Sequence, residues 1–141
     1  MCARCEQCAS DLREKLWRWG VRGDAADKII EKLELEGFLN EERYARAYAR
    51  DKVRFCGWGK RKVAAMLASK RIRSAAIRDA LDAVEPAFYA EALERAAEAK
   101  CRGLDLNEAS SRAKAMRFLL QRGFDASEAA EAIGRFKRKN L

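Results

Sequence analysis

The chain has 141 residues, 30 of them lysine or arginine against 22 aspartates and glutamates, and no histidine, giving a formal net charge of +8. That length allows a real core, in one domain or in several small stacked units. A single proline and abundant apolar residues exclude wholesale disorder, and the lack of histidine removes the usual general base, pH switch and metal ligand, which weighs against most enzymes.

Alanine, leucine, arginine, lysine and glutamate dominate while β-branched residues never run together, so an all-α chain is expected. The first residues are charged and lack the apolar stretch of a signal peptide, and no apolar run reaches spanning length. Five cysteines in such a chain read as reduced thiols of a cytoplasmic protein without membrane contact.

From Cys2 to Trp19 the apolar positions Cys2, Cys5, Ala9, Leu12, Leu16 and Trp19 follow the three- and four-residue step of a packed helix face. Trp17 lies off that face. Gly20 supplies a left-handed cap. Asp24 is placed to cap a second helix with Ile29, Ile30 and Leu33 inside, ending at Gly37. Phe38 and Leu39 lead to Asn40, an N-cap for a third helix over about 41–55, with Glu41 and Glu42 at its positive end. Tyr44, Tyr48 and Phe55 share one face of it; Arg43, Arg46, Arg50 and Arg54 form a stripe on another.

Gly57, Trp58 and Gly59 break this helix, and Lys60, Arg61 and Lys62 open a fourth that buries Val63, Met66 and Leu67. A fifth begins near Ser74 with Ile77, Ala80, Leu81 and Val84 inside. Pro86 starts a sixth reaching about Lys100, with Phe88, Tyr89, Leu93 and Ala96 inward. A loop over 101–107 precedes a seventh helix from Glu108 to Arg122, using Ala113, Met116, Leu119 and Leu120. Asp125 and Glu128 have capping-box spacing and start an eighth, carrying Ala129, Ile133 and Phe136.

Three segments align without a gap: Leu16 to Val21, Leu67 to Ile72 and Leu119 to Phe124. Each holds a leucine, three mostly polar or amphipathic residues, a cap position and a large apolar residue. An aliphatic follows nine residues later, at Ile30, Leu81 and Ile133. The period is 51 and then 52 residues, the mark of a helical repeat. Three units are expected, over 1–39 (with its leading helix short or missing), 40–85 and 86–141. Since such units must stack to bury their faces, an elongated, curved array of tandem three-helix repeats is the expected architecture.

The net charge is concentrated in one stretch of the middle unit. Between Asn40 and Arg73 lie 11 cations and 3 anions, which accounts for the whole +8 and leaves the flanking chain neutral. The stripe lacks acids at i+4, and guanidinium groups suit phosphate and carboxylate recognition, so a partner-binding surface is expected. Its candidate residues are Arg43, Arg46, Arg50, Arg54, Trp58, Lys60, Arg61, Lys62, Lys70, Arg71 and Arg73. Trp58, between two glycines, reads as a core plug or as an exposed anchor. Cys2, Cys5 and Cys8 resemble the start of an iron–sulfur ligand run, but a fourth thiolate and a following proline are missing, so structural thiols are the better reading. No metal, cofactor or catalytic set is expected.

The run GFLNEERYARAYARDKVRF, the corner Gly57-Trp58-Gly59, the basic helix ending in KRI, the later AKAMRFLLQRGF and the early SDLREKLWRWGV together resemble the RecX family of regulatory proteins, over roughly residues 3–135. The matching positions are Glu42, Arg43, Tyr44, Tyr48, Gly57, Trp58 and Gly59. The resemblance implies three tandem three-helix units and a monomer without catalysis of its own. It further implies binding in the groove of the RecA filament on DNA, blocking filament growth, ATPase, coprotease activity and strand exchange, and so modulating recombination, repair and the SOS response. A nucleoprotein filament is acidic, as the basic middle requires. The competing reading of the same arginines is a DNA-binding module that reads the backbone without RecA. This chain departs from the family pattern in having Arg71 where the other copies have a cap glycine, in its incomplete first unit and in its N-terminal cysteines.

Overall fold

The computed structural model describes residues 8–37 and 39–140 of the chain. Among them lie eight helices and no strand: α1 Ala9–Arg18, α2 Asp24–Leu35, α3 Glu41–Cys56, α4 Lys60–Ser69, α5 Ser74–Asp82, α6 Pro86–Cys101, α7 Ala109–Gln121 and α8 Ala126–Lys139. The order and the boundaries follow the expected helices closely. Cys2, Cys5 and Phe38 lie outside the described residues.

The repeat has a structural identity: it is one helix-terminating motif used three times. In each copy the amide of the residue after the cap bonds back to the leucine carbonyl: Val21 to Leu16 at 2.7 Å, Ile72 to Leu67 at 3.2 Å and Phe124 to Leu119 at 3.1 Å. The cap residue bonds to the next carbonyl, Gly20 to Trp17, Arg71 to Ala68 and Gly123 to Leu120, each at 3.0 Å. This pair of bonds is the Schellman motif, and it needs a left-handed residue between them. Gly20, Arg71 and Gly123 have φ of 85°, 64° and 102°. The two large residues of each segment meet because those bonds fold the chain back on itself.

This fold-back also corrects the first helix face. Trp19 is not inside but 72% exposed. The period ends with the helix at Arg18, and Val21, returned by its bond to Leu16, packs on the small Leu16, Ala26 and Ile30 core in its place. Phe55 is likewise 74% exposed, although its azimuth matches Tyr44 and Tyr48. It sits one residue from the helix end, and the buried position of that last turn belongs to Val53. Ile29, Met66 and Leu120 lie at the margins of their faces and are exposed. On α7 the buried line is Ser111, Ala115 and Leu119, an i, i+4 stripe disguised by its serine, and Ala113 faces solvent. At α2, Gly23 with φ 60° takes the cap position and Asp24 is the first helical residue.

One continuous core spans α3 to α8, including Tyr44, Tyr48, Val63, Leu67, Leu93, Leu119 and Phe124. The middle and last repeats therefore share a single interior. α3 packs against α5 with fully or nearly fully buried alanines at i, i+4 on each, Ala45 and Ala49, Ala76 and Ala80, which lets the two backbones come close. The seam to the last repeat is tighter still. A Cβ on Gly59 would stand 2.3 Å from the Gly123 carbonyl carbon, and one on Gly123 would stand 2.4 Å from the Lys62 Cβ. Gly59 donates to the Arg122 carbonyl at 2.7 Å and Arg61 to the Gly123 carbonyl at 3.0 Å. The amide of Lys60 donates to the Tyr89 hydroxyl at 3.1 Å, and that hydroxyl donates to Glu128 at 3.3 Å. Glu128 completes the expected capping box with Asp125.

The first unit is attached differently. Leu16, Ala26 and Ile30 form a separate cluster, and the link to the middle unit is Asp11, which accepts from the Tyr44 hydroxyl at 3.0 Å and from Lys70 Nζ at 2.7 Å. Cys8 is buried beside them in the main core, as a structural thiol. Burial opposes ionisation of Asp11, yet the bonds from Lys70, Cys8 and Tyr44 outweigh it and hold the carboxyl below its ordinary range. Burial likewise opposes the charge on Lys70, but the bond to Asp11 and the Asp11 charge raise its pKa. Burial and the neighbouring Asp11 push the Tyr44 phenol well up, so it remains a donor.

Gly59→Ala places a methyl against backbone that has no side chain to move, so it should lower unfolding stability by about 2 kcal/mol or more, whereas Gly57→Ala, with open space around it, should cost only about the 1–2 kcal/mol of its left-handed φ. Chemical denaturation of the two variants checks the order. For the clamp, the depressed carboxyl contributes stability above the unfolded-chain value of about 3.9, lost as pH falls through the lower folded value. Asp11→Asn should thus reduce amide-exchange protection of α1 at neutral pH and remove part of its loss on acidification below pH ~4. Hydrogen exchange at several pH values reads both.

Candidate partner-binding surface

The eleven candidate residues fall into three groups. Arg46, Arg50 and Arg54 line one side of a groove of about 260 Å³ whose other side is residues 83–85 and Phe88. They repeat every four residues on α3, about 6 Å of rise per step. All three are exposed, because α3 turns Ala45, Tyr48, Ala49 and Val53 inwards. The guanidinium of Arg54 lies 4.3 Å from the Phe88 ring centroid, which stacks it in a fixed orientation. Phe88 is half-buried and walls the groove rather than filling the core.

The stripe is not wholly uncompensated. Glu42 of α3 stands four residues before Arg46 but is taken by Arg73, and Arg46 pairs instead with Asp79 of α5 at 2.7 Å and Arg50 with Asp51 at 3.2 Å. A single-helix reading misses the first because Asp79 is 33 residues away. Such exposed pairs are worth about 0–1 kcal/mol, and each guanidinium has five donors, so both arginines keep capacity for an incoming anion. Arg43 starts the stripe but bonds the Gly37 carbonyl at 3.2 Å, tying down the turn before α3.

The second group surrounds the Gly57 to Gly59 corner. Trp58 is half-buried, with its ring 6.3 Å from Tyr48 in an edge-on arrangement, so it is a plug at the core margin. Its ring also carries two cations, Lys52 Nζ at 4.8 Å and Lys62 Nζ at 4.4 Å from the centroid. Lys60 Nζ lies 4.9 Å from the Tyr89 centroid, and Arg61 is exposed. Three cations and no acid in the first turn of α4 oppose the helix dipole. Helix stability does not explain them. Lys52 belongs to this group and was not among the sequence candidates; the signal for it was its six-residue spacing from Trp58 across the helix end. Burial raises the Tyr89 phenol, and the Glu128 charge adds to this, more than offsetting the Lys60 amide bond, so the hydroxyl remains protonated at the seam.

The third group lies at the α4–α5 turn and is largely engaged within the fold. Lys70 holds Asp11, and Arg73 pairs with Glu41 at 2.6 Å and with Glu42. The Arg73 amide also donates to Glu41 at 3.0 Å, which fixes the start of α5 onto that of α3. Arg71 is exposed. The structure thus brings Arg46, Arg50 and Arg54 onto one groove, places the Lys60 to Lys62 run at the corner, and gives Lys70 and Arg73 intramolecular acids. Among the described residues no group of three or more cysteines, aspartates or glutamates is placed to hold a metal ion, and no helix is long and apolar enough to cross a membrane.

These features define an all-α protein of tandem helical repeats. Residues 40–81 match the second three-helix domain of RecX and residues 89–133 its third. A regulatory protein RecX of Herminiimonas arsenicoxydans is 33% identical over 137 residues, 96% of this chain and 86% of that protein. One of Chromohalobacter salexigens is 30% identical, over 93% of this chain and 84% of the other. The crystal structure of a regulatory protein RecX superposes with a TM-score of 0.79 at 25% identity, over 92% of this chain and 64% of that one. RecX from Lactobacillus salivarius has the same fold, with a TM-score of 0.76 at 21% identity, over 94% of this chain and 86% of that one. The chain belongs to the RecX family of regulatory proteins.

Proposed function

We propose that this chain binds the RecA recombinase filament on DNA and inhibits its growth, ATPase and strand exchange, without catalysis of its own. The observation that carries this reading is the groove of Arg46, Arg50 and Arg54, set in the stretch 40–73 whose charge balance of +8 equals that of the whole chain. A filament of protein on DNA presents phosphates at regular intervals, and arginines at successive helical turns are spaced to meet a repeating anion. The units 1–39, 40–85 and 86–141 would lie along the filament as an elongated monomeric array, in the cytoplasm. The same arginines support a second reading, binding to bare DNA without RecA, since the Lys60 to Lys62 run opposes its own helix dipole and so favours an external anion.

Arg46, Arg50 and Arg54 changed together to glutamate should leave the far-UV helix signal intact. The concentration needed to inhibit RecA ATPase on single-stranded DNA should rise by roughly tenfold or more, as expected when several anion contacts are reversed. Unchanged inhibition by the folded variant rules the groove out as the contact. Affinity for RecA-coated DNA above that for bare DNA at the same salt separates the first reading from the second.

A further inference from the structure

A cleft of about 470 Å³, larger than the arginine groove, lies between α1 and the turn joining α4 to α5. Its size falls within that of sites for small organic ligands. α1 contributes Arg13, Glu14 and Trp17, and the turn contributes Lys70 and Arg71. Two of these residues are left unexplained by the fold.

Trp17 is 55% exposed, and the guanidinium of Arg22 lies 3.6 Å from its ring centroid. A planar cation on an exposed indole is a weak, exchangeable contact, and the ring face it covers is one on which any nucleobase can stack. Arg71 is the single non-glycine with positive φ among the described residues, at the position where the sister copies have glycine. Backbone strain kept at a cleft points to a use for the side chain. Of the three cations lining the cleft, Arg13 pairs with Asp27 and Lys70 with Asp11. Arg71 pairs with no acid among the described residues.

We propose that this cleft binds one unpaired nucleotide of a single-stranded nucleic acid. Its base stacks on Trp17 in place of Arg22, and a flanking phosphate meets Arg71. Glu14, a carboxylate of the lining with no partner among the described residues, repels a polyanion unless it accepts a bond from it. The exocyclic amino group of cytosine, adenine or guanine supplies that bond, whereas the N3–H of thymine is flanked by two carbonyl oxygens that repel a carboxylate, so Glu14 favours amino-bearing bases. The site shares no residue with the groove on α3, and its occupancy requires no RecA.

The test is a fluorescence-anisotropy titration of short labelled oligo(dC) and oligo(dT) with the full chain at low salt and without RecA. Oligo(dC) should bind more tightly. Trp17→Ala should weaken oligo(dC) by about 5- to 100-fold, the range for one lost stack. Arg71→Gly suits the left-handed backbone, so the fold is retained, and it should weaken binding while reducing the salt slope by about one charge. Glu14→Ala should erase the preference for oligo(dC). Binding of oligo(dC) by both Trp17→Ala and Arg71→Gly at the wild-type level overturns the proposal, and so does binding lost only on reversal of Arg46, Arg50 and Arg54. Equal wild-type affinity for the two oligonucleotides removes Glu14 from it.

Discussion

The contact on which the rest of the structure depends is the backbone seam between Gly59 and Gly123. α4 is a poor helix start in isolation: its cap residue is a glycine without a side chain, and its first turn is three cations at the positive end of the dipole. The last repeat supplies what is missing. Its Tyr89 hydroxyl and Gly123 carbonyl take the amides of Lys60 and Arg61, two of the donors that a helix N-terminus leaves without partners. Neither residue 59 nor residue 123 has room for a side chain, so the acceptors come close enough only because both are glycine. The repeats are units of sequence, but α3 to α8 are one unit of packing, and the basic corner is held in place by residues of the repeat beside it.

Much of this was legible in the sequence because it is local. The helix order, Asn40 as a cap bonded to the Arg43 amide at 2.8 Å, the Asp125 and Glu128 box and the threefold leucine, cap and apolar signature are all set within six residues. The misreadings of Phe55 and Trp19 share one physical origin, which is that azimuth on a helix says nothing about depth along its axis. Phe55 and Trp19 have the right angle and the wrong height, one at the end of α3 and one beyond the end of α1. The candidate surface was legible as a composition and illegible as an arrangement. Asp79, Asp11 and Glu41 neutralise or anchor Arg46, Lys70 and Arg73 from far along the chain, and no spacing rule brings them together.

The tertiary acids divide the basic cassette by role. Lys70 is partly buried and clamped between Asp11 and its own turn, and it is a strut. Arg46 is exposed and singly paired, so an arriving phosphate can take over its donors at little cost. Arg54 is held by stacking on Phe88 and not by an acid, which fixes the plane of its donors while leaving the charge available. Net charge places the surface in the middle repeat, and these partners decide which of its cations are on offer.

The two junctions along the chain are made of different material. Between the middle and last repeats the joint is backbone, glycine and a shared apolar core, which leaves no alternative packing of comparable energy. Between the first unit and the rest it is chiefly one carboxylate, one phenol and one ammonium, beside the buried Cys8. Contacts of the second kind sit at the low end of local stability. The first unit also leaves four large apolar side chains exposed, Trp17, Trp19, Ile29 and Leu35, more than either of the other repeats among the described residues. An unstrained glycine at residue 71 would strengthen the cap next to that joint, yet the chain holds an arginine there at φ 64°. The least firmly fixed joint is therefore also the one where local stability is given up for a side chain, and that coincidence is expected where a joint closes on a ligand.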